Sequence, residues 1–177
     1  MQHSGARQDI DGSIVAKRIV TIAQGSEARI LVVDDDAFTV ARISDLLQSR
    51  GFDVRQASDG AQALKLLEHE WFPVIITDWQ MPVMNGLEFT RRLRAKGIID
   101  TYVIMLTALE SGSDYESGYE AGVDDYLTKR LPDIELFSRI HAAYRTLNLR
   151  RSLTTRGPRV GRKIAGSILS STIRANS

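Results

Sequence analysis

The chain has 177 residues, with 23 basic and 22 acidic side chains and no cysteine. This length fits one domain with some additional residues, and the lack of cysteine excludes a disulfide framework or a thiolate metal site. No apolar run approaches the roughly 18 residues that a membrane-spanning helix needs, and the first residues lack the pattern of a secretory signal. We therefore expect a cytoplasmic protein that does not cross a membrane.

Four runs of strand length each lead directly into a polar residue. They cover residues 30–33, 74–77, 103–106 and 125–128 and are followed by Asp34, Asp78, Thr107 and Lys129. Between them lie segments of helical periodicity, and the clearest, at 133–147, places five apolar side chains on one face: Ile134, Phe137, Ile140, Tyr144 and Leu147. Runs that are apolar on both faces indicate a parallel sheet with helices on both sides.

The carboxyl ends of parallel strands meet at one edge of a sheet, where open α/β folds bind their ligands. We expect Asp34, Asp35 and Asp78 to converge there. Three carboxylates in close proximity repel one another unless they are neutralised. A hard divalent cation with oxygen ligands resolves this repulsion, and Mg²⁺ suits one or two carboxylates together with water and phosphate.

Five short motifs follow one another in an order that is typical of a known family. They are the pair Asp34-Asp35, the run Asp-x-x-Met-Pro-x-x-Asn-Gly from Asp78 to Gly86, the pair Thr107-Ala108, Tyr126 and Lys129. Over residues 29–148 the chain resembles the receiver domain of a two-component response regulator. The resemblance implies a flavodoxin-like, doubly wound parallel sheet of five strands in the order 2-1-3-4-5, with five helices.

The resemblance also implies roles for individual residues. Asp78 would be the phosphoacceptor, and Lys129 and Thr107 would stabilise the transferred phosphoryl group. The movement of Thr107 toward that group would let the ring of Tyr126 turn, which makes these two residues the expected switch. The chain would catalyse only its own phosphorylation and dephosphorylation, so it would not be a conventional enzyme.

The same resemblance assigns a ligand set for Mg²⁺. Asp35, Asp78 and the backbone carbonyl of Gln80 would bind the metal directly, and Asp34 would act largely through water.

Each assignment has a simpler structural alternative. Asp34 and Asp35 could cap the helix that follows them, since Asp is favourable near a helix N-terminus. Thr107 could be an ordinary hydroxyl at a strand end, Lys129 a solvated surface residue, and Tyr126 a half-buried residue of an edge strand.

One position departs from the family pattern. Receivers usually carry a Pro directly after the Lys, with a cis peptide bond, whereas this chain has Arg130 and a Pro only at Pro132. A cis bond before a residue other than proline costs about 2.5–4 kcal/mol. Either the bond stays cis at that cost, or the loop changes and aims Lys129 differently.

Charge divides the chain into three parts. Residues 29–148 carry 13 basic and 19 acidic side chains, residues 1–28 are balanced, and residues 149–177 have seven basic side chains and no acidic one. We predict a receiver domain at 29–148 between two flexible extensions.

The expected partners are a sensor histidine kinase and either a downstream protein or a second copy of the chain. The second contact would use the face formed by helix 111–121, strand 125–128 and helix 133–148. Two alternatives stay open: the chain is the receiver portion of a longer regulator with a DNA-binding or cyclic-dinucleotide output, or its basic tail binds nucleic acid. The tail lacks a helix-turn-helix pattern, which argues against nucleic-acid binding.

Overall fold

The computed structural model describes residues 28–107, 120–130 and 132–155, which contain five strands and four complete helices. In chain order these elements are β1 (Arg29–Val33), α1 (Ala37–Gln48), β2 (Asp53–Ala57), α2 (Gly60–Leu66), β3 (Val74–Asp78), α3 (Gly86–Ala95), β4 (Tyr102–Thr107), β5 (Asp125–Thr128) and α4 (Asp133–Thr155). Strands alternate with helices as the periodicity predicts, except between β4 and β5, where most of the connecting residues lie outside the described ranges.

The five strands form one sheet in the order β2-β1-β3-β4-β5, and all neighbouring strands are parallel. Every residue of β3 and β4 is buried, because these two strands lie in the interior of the sheet and are covered on both faces. The predicted fold class and strand order are confirmed. The parallel register brings the carboxyl ends of β1, β3, β4 and β5 to the same edge.

The four complete helices of the described residues cover the two faces of the sheet in pairs. One core joins α1 and α4 to one face and includes the buried side chains of Ile43, Leu47, Phe137, Ile140 and Leu147. The other core joins α2 and α3 to the opposite face and includes those of Ala63, Phe89 and Leu93. Both cores rest on β-branched and Leu side chains of the central strands, which fill a pleated surface well.

The last helix differs from the prediction in two respects. Ile134 is 59% exposed, and Leu136 is the buried residue of that turn, so the predicted apolar face was wrong at its first position. The helix also continues to Thr155, beyond the predicted boundary at residue 148. Arg150 holds this extension to the domain through an ion pair of 2.9 Å with Asp124.

The predicted helix at 111–121 lies mostly outside the described residues, although its last two residues, 120 and 121, are helical. The predicted extension at 1–28 and the end of the tail also lie outside, except for residue 28. Among the described residues, no helix is both long and apolar enough to cross a membrane.

Candidate functional site

Three aspartates lie together at the carboxyl edge of the sheet. Asp34 directly follows β1, and Asp78 is the last residue of the neighbouring strand β3. Both side chains are almost fully buried, whereas Asp35 is exposed. Each of the three offers a carboxylate oxygen within 4.8 Å of the others. The sheet thus assembles the acidic cluster that the strand ends predict.

The helix that follows β1 is capped by Asp36. Its carboxylate accepts hydrogen bonds from the backbone N–H groups of Phe38 at 3.3 Å and Thr39 at 3.1 Å. The side-chain hydroxyl of Thr39 donates a further bond, which is the main reason why the pKa of Asp36 is lowered. Because Asp36 serves as the cap, the two preceding aspartates do not fill that structural role.

Lys129 extends from the end of β5 into the cluster. Its ammonium nitrogen lies 2.9 Å from Oδ2 of Asp34 and 2.9 Å from Oδ2 of Asp78. Partial burial acts to lower the pKa of Lys129, but the hydrogen bonds and negative charges of the two aspartates outweigh burial and raise it. Lys129 is therefore a charged member of the site and not a solvated surface residue.

The peptide bond after Lys129 is not cis, so the first of the two expected alternatives is wrong, and a loop that aims Lys129 differently stays a prediction. The described residues contain no cis peptide bond, yet the Lys129 side chain still reaches both carboxylates. Its backbone is held on both sides, since the N–H of Lys129 donates to the carbonyl of Thr107 at 3.2 Å and its carbonyl accepts from Arg42 at 3.4 Å. The loop thus presents Lys129 without a proline at position 130.

The charge balance at the site favours a bound cation. Burial raises the pKa of Asp78, and Asp34 adds to this effect, while the hydrogen bond and charge of Lys129 oppose it. Three carboxylates face one ammonium. Among the described groups, Oδ2 of Asp34 accepts no well-aligned hydrogen bond, although the Lys129 ammonium lies 2.9 Å away. A buried oxygen of this kind and an exposed carboxylate at Asp35 fit the oxygen ligands that Mg²⁺ prefers.

The loop from Trp79 to Gly86 folds back beneath the phosphoacceptor candidate. The N–H of Gly86 donates to the carbonyl of Trp79 at 3.1 Å, and a Cβ atom on Gly86 would lie only 2.0 Å from the backbone carbonyl oxygen of Asp78. Glycine is therefore required at this position by close approach of the backbone. Gln80 is an exposed residue of the same loop, and metal binding by its carbonyl stays a prediction.

The two predicted switch residues lie on neighbouring strands. Thr107 ends β4 and is 3% exposed, and Tyr126 lies half-buried on β5. The parallel register pairs Thr107 with Thr128 and Met105 with Tyr126. Because side chains alternate between the faces of a sheet, Thr107 and Tyr126 belong to the same face, the one that α2 and α3 cover.

Sequence reasoning missed the contributions of two arginines. Arg42 contacts the loop after β5 from a helix 87 residues earlier. Arg94 donates to the carbonyls of Ile98, Thr101 and Gly122 at 2.8–3.0 Å and forms a 2.7 Å ion pair with Asp124. No local pattern marks either residue, since each resembles an ordinary surface charge of an amphipathic helix.

Comparison with known proteins agrees with this geometry. The family model described as the response regulator receiver domain matches residues 30–141. The chain is 38% identical to the response regulator MprA of Mycobacterium sp. (strain KMS) over 130 residues, which are 73% of this chain and 54% of that protein. It is 43% identical to the transcriptional regulatory protein CpxR of Escherichia coli (strain K12) over 117 residues, 66% of this chain and 49% of that protein.

Solved structures give the same result. The receiver domain of the Francisella response regulator 1452 is 36% identical, with a TM-score of 0.63, and the match covers 67% of this chain and 97% of that one. The BeF3-activated DrrB receiver domain is 32% identical, with a TM-score of 0.60 and coverage of 66% and 97%. The chain belongs to the receiver domain family of two-component response regulators. It spans about half the length of the curated relatives named above.

Proposed function

We propose that Asp78 accepts a phosphoryl group from a histidine side chain of a sensor kinase in a Mg²⁺-dependent reaction. The observation that carries this proposal is the position of the Lys129 ammonium, 2.9 Å from a carboxylate oxygen of Asp78 at the open edge of the sheet. A nucleophilic carboxylate beside a fixed cation is the arrangement that formation of an aspartyl phosphate requires.

The transfer is a single displacement at phosphorus. A carboxylate oxygen of Asp78 forms a bond to phosphorus while the bond between phosphorus and the donor imidazole nitrogen breaks. The electron pair of that bond leaves with the nitrogen, which takes up a proton. Two of the three acidic side chains, Asp35 and Asp78, together with the carbonyl of Gln80, would hold Mg²⁺, and Asp34 would contribute through water. The metal would supply positive charge that offsets the charge of the transferring oxygens.

Lys129 and Thr107 complete the proposed chemistry. The ammonium of Lys129 is already charged and held at the site, so it can stabilise the phosphoryl oxygens without rearrangement during the reaction. Thr107 ends the neighbouring strand, and its hydroxyl would donate a hydrogen bond to a phosphoryl oxygen once Asp78 is modified. We infer that the chain catalyses only its own phosphorylation and dephosphorylation.

Phosphorylation would then change a protein-interaction surface. The hydroxyl of Thr107 would move toward the phosphoryl group, and the ring of Tyr126 would turn into the space on the same face of the sheet. The affected surface would be formed by the predicted helix at 111–121, β5 and residues 133–148 of α4, and it would bind a downstream protein or a second copy. This is a local change of charge acting on an element with two arrangements.

The names of the relatives suggest an output that the described residues do not contain. CpxR is named as a transcriptional regulator and has about twice the matched length, so we propose that this receiver serves as the input part of a longer regulator. Residues 29–148 carry a net charge of −6 from 13 basic and 19 acidic side chains, which disfavours nucleic-acid binding by the receiver itself.

Phosphorylation of the purified chain by phosphoramidate tests the proposal directly. With Mg²⁺ present, intact-mass measurement should detect one added phosphoryl group, and chelation of the metal should prevent the addition. The variant Asp78→Ala should remain unmodified. Asp100→Ala is the matched control, because Asp100 is an exposed aspartate of another loop and its loss should leave the modification intact. Equal modification of the Asp78→Ala variant and the unaltered chain would refute the proposal.

A further inference from the structure

Arg42 joins three elements close to the site, namely α1, the loop after β5 and the start of α4. It lies on α1, and its Nη2 atom donates to the carbonyl of Lys129 at 3.4 Å. Its Nη1 atom donates to Oδ1 of Asp133, the first residue of α4, at 3.5 Å. About one third of the Arg42 side chain is exposed. One guanidinium thus holds the loop after β5 against both helices of this face.

Among the described residues, the Lys129 backbone makes one hydrogen bond besides the one from Arg42. Its N–H is fixed by the carbonyl of Thr107, whereas its carbonyl begins an exposed loop in which no proline follows directly. A lysine side chain is a flexible four-carbon stem. The position of its ammonium between Asp34 and Asp78 therefore depends on how firmly the backbone at its base is held.

We propose that Arg42 is a positioning residue that aims Lys129 at the phosphoacceptor by holding the Lys129 carbonyl. The inference rests on the proposed function, since it assigns to Arg42 a part in the same phosphoryl transfer. The planar guanidinium donates from two separate nitrogens to a carbonyl and a carboxylate at once. A lysine presents a single point charge and cannot reproduce that geometry.

The variant Arg42→Gln should slow phosphorylation by phosphoramidate, because a misplaced catalytic group costs rate even when the fold is intact. We expect a loss of roughly 10- to 100-fold, the range associated with misplacement by up to 1 Å. The Mg²⁺ affinity should be retained, because the proposed metal ligands do not include Lys129. Arg42→Lys should recover little of the rate although it restores the positive charge.

Arg92→Gln is the matched control. Arg92 is a surface arginine of α3 that is also ion-paired to a carboxylate, that of Glu88, and its replacement should change neither the rate nor the Mg²⁺ affinity. Wild-type rates for Arg42→Gln would overturn the inference, and so would an equal loss of rate and Mg²⁺ affinity, which indicates a general structural defect. Full recovery of the rate by Arg42→Lys would also overturn it.

A second measurement does not depend on phosphorylation. Lys129→Gln leaves the buried carboxylates without their cation and should lower the melting temperature. If Arg42 positions Lys129, the same substitution should lower the melting temperature less in the Arg42→Gln background. If the losses in melting temperature of Lys129→Gln and Arg42→Gln simply add in the double variant, the inference is overturned. If the unaltered chain takes up no phosphoryl group, the proposed function fails, and this comparison alone decides whether Arg42 holds Lys129 in place.

Discussion

Replacing Asp78 by Asn should stabilise the metal-free protein, although it removes an ion pair. Asp78 is 4% exposed, and its carboxylate is attracted by one cation and repelled by two neighbouring carboxylates. The sign of the effect depends on which of these interactions is larger and on the free energy of burying the charge. The structure gives the distances needed to compare them.

Coulomb's law with an effective dielectric constant of about 20 gives the relevant magnitudes. The attraction to Lys129 at 2.9 Å is worth about 6 kcal/mol. Repulsion from Asp34 and Asp35, each with an oxygen within 4.8 Å, is worth about 3.5 kcal/mol per pair, and less for the exposed Asp35. Attraction and repulsion nearly cancel, so the cost of burying the carboxylate decides the outcome.

The raised pKa of Asp78, which is caused first by burial, agrees with this balance. The expected gain for Asp78→Asn at pH 7 in a chelator is about 1–2 kcal/mol in the free energy of unfolding, or an increase of about 4–8 °C in melting temperature for a domain of this size. Thermal and urea unfolding measure it. Asp100→Asn, at an exposed position, should change stability by less than about 0.5 kcal/mol.

The gain should depend on pH with a defined sign. Since the folded-state pKa of Asp78 lies above its usual value of 3.8, the folded wild-type protein binds this proton more tightly than the unfolded chain does. The stability that the proton contributes is fully present below pH 3.8 and is lost as the pH rises through the folded-state pKa. Asparagine does not titrate. The stability advantage of the Asp78→Asn variant should therefore appear as the pH rises through the folded-state pKa of Asp78 and should vanish in acid.

Magnesium should reverse the order of stability. A ligand at about 100 times its dissociation constant adds about 2.7 kcal/mol to the stability of a protein that binds it, which exceeds the advantage of about 1–2 kcal/mol expected for the variant, and the variant lacks one proposed ligand. A variant less stable than wild type at pH 7 in a chelator would refute this reasoning, because it would show that attraction to Lys129 exceeds repulsion and burial together.

Three further outcomes are expected. Trp79 directly follows Asp78, so in a Trp71→Phe host its fluorescence should change on addition of Mg²⁺, and Asp35→Ala should weaken that response. Gly86→Ala should destabilise the protein by at least about 2 kcal/mol in urea unfolding, because its Cβ would lie 2.0 Å from a backbone carbonyl oxygen; an unchanged midpoint would contradict the close approach. Arg150→Gln should cost only about 0.5–1 kcal/mol but should speed amide exchange in the last two turns of α4, and unaltered exchange there would show that the ion pair does not hold the extension.

The sheet and the acidic cluster could be predicted because local patterns encode them. Strands β1, β3 and β4 are short apolar runs, and the residue that ends each run marks the edge where the site forms, whereas β2 (Asp53–Ala57) is mostly polar and carries no such run. The pattern does not distinguish among Asp34, Asp35 and Asp36, which are consecutive and chemically identical. Only the structure shows that Asp36 accepts the bonds from the N-terminus of α1, which leaves the first two for the site.

Contacts between distant segments could not be predicted in this way. The bond from Arg42 to the carbonyl of Lys129 joins residues 87 positions apart. The end of α4 is similar, because residues after 148 are basic and look like a solvated tail. The helix continues there since Arg150 pairs with Asp124 and the guanidinium of Arg151 lies 5.0 Å from the centre of the Trp71 ring.

These long-range contacts bear on how a signal would leave the site. Strand β5 lies between two residues that hold α4 in place. Asp124 precedes the strand and pairs with Arg150 near the end of the helix. Lys129 follows the strand, and the Arg42 guanidinium that binds its carbonyl also binds Asp133 at the start of the helix. A phosphoryl group on Asp78 would act first on Lys129, whose ammonium would have new oxygens to bind. Because Arg42 joins the backbone of Lys129 to the start of α4, we expect α4 to be the first helix that responds to phosphorylation.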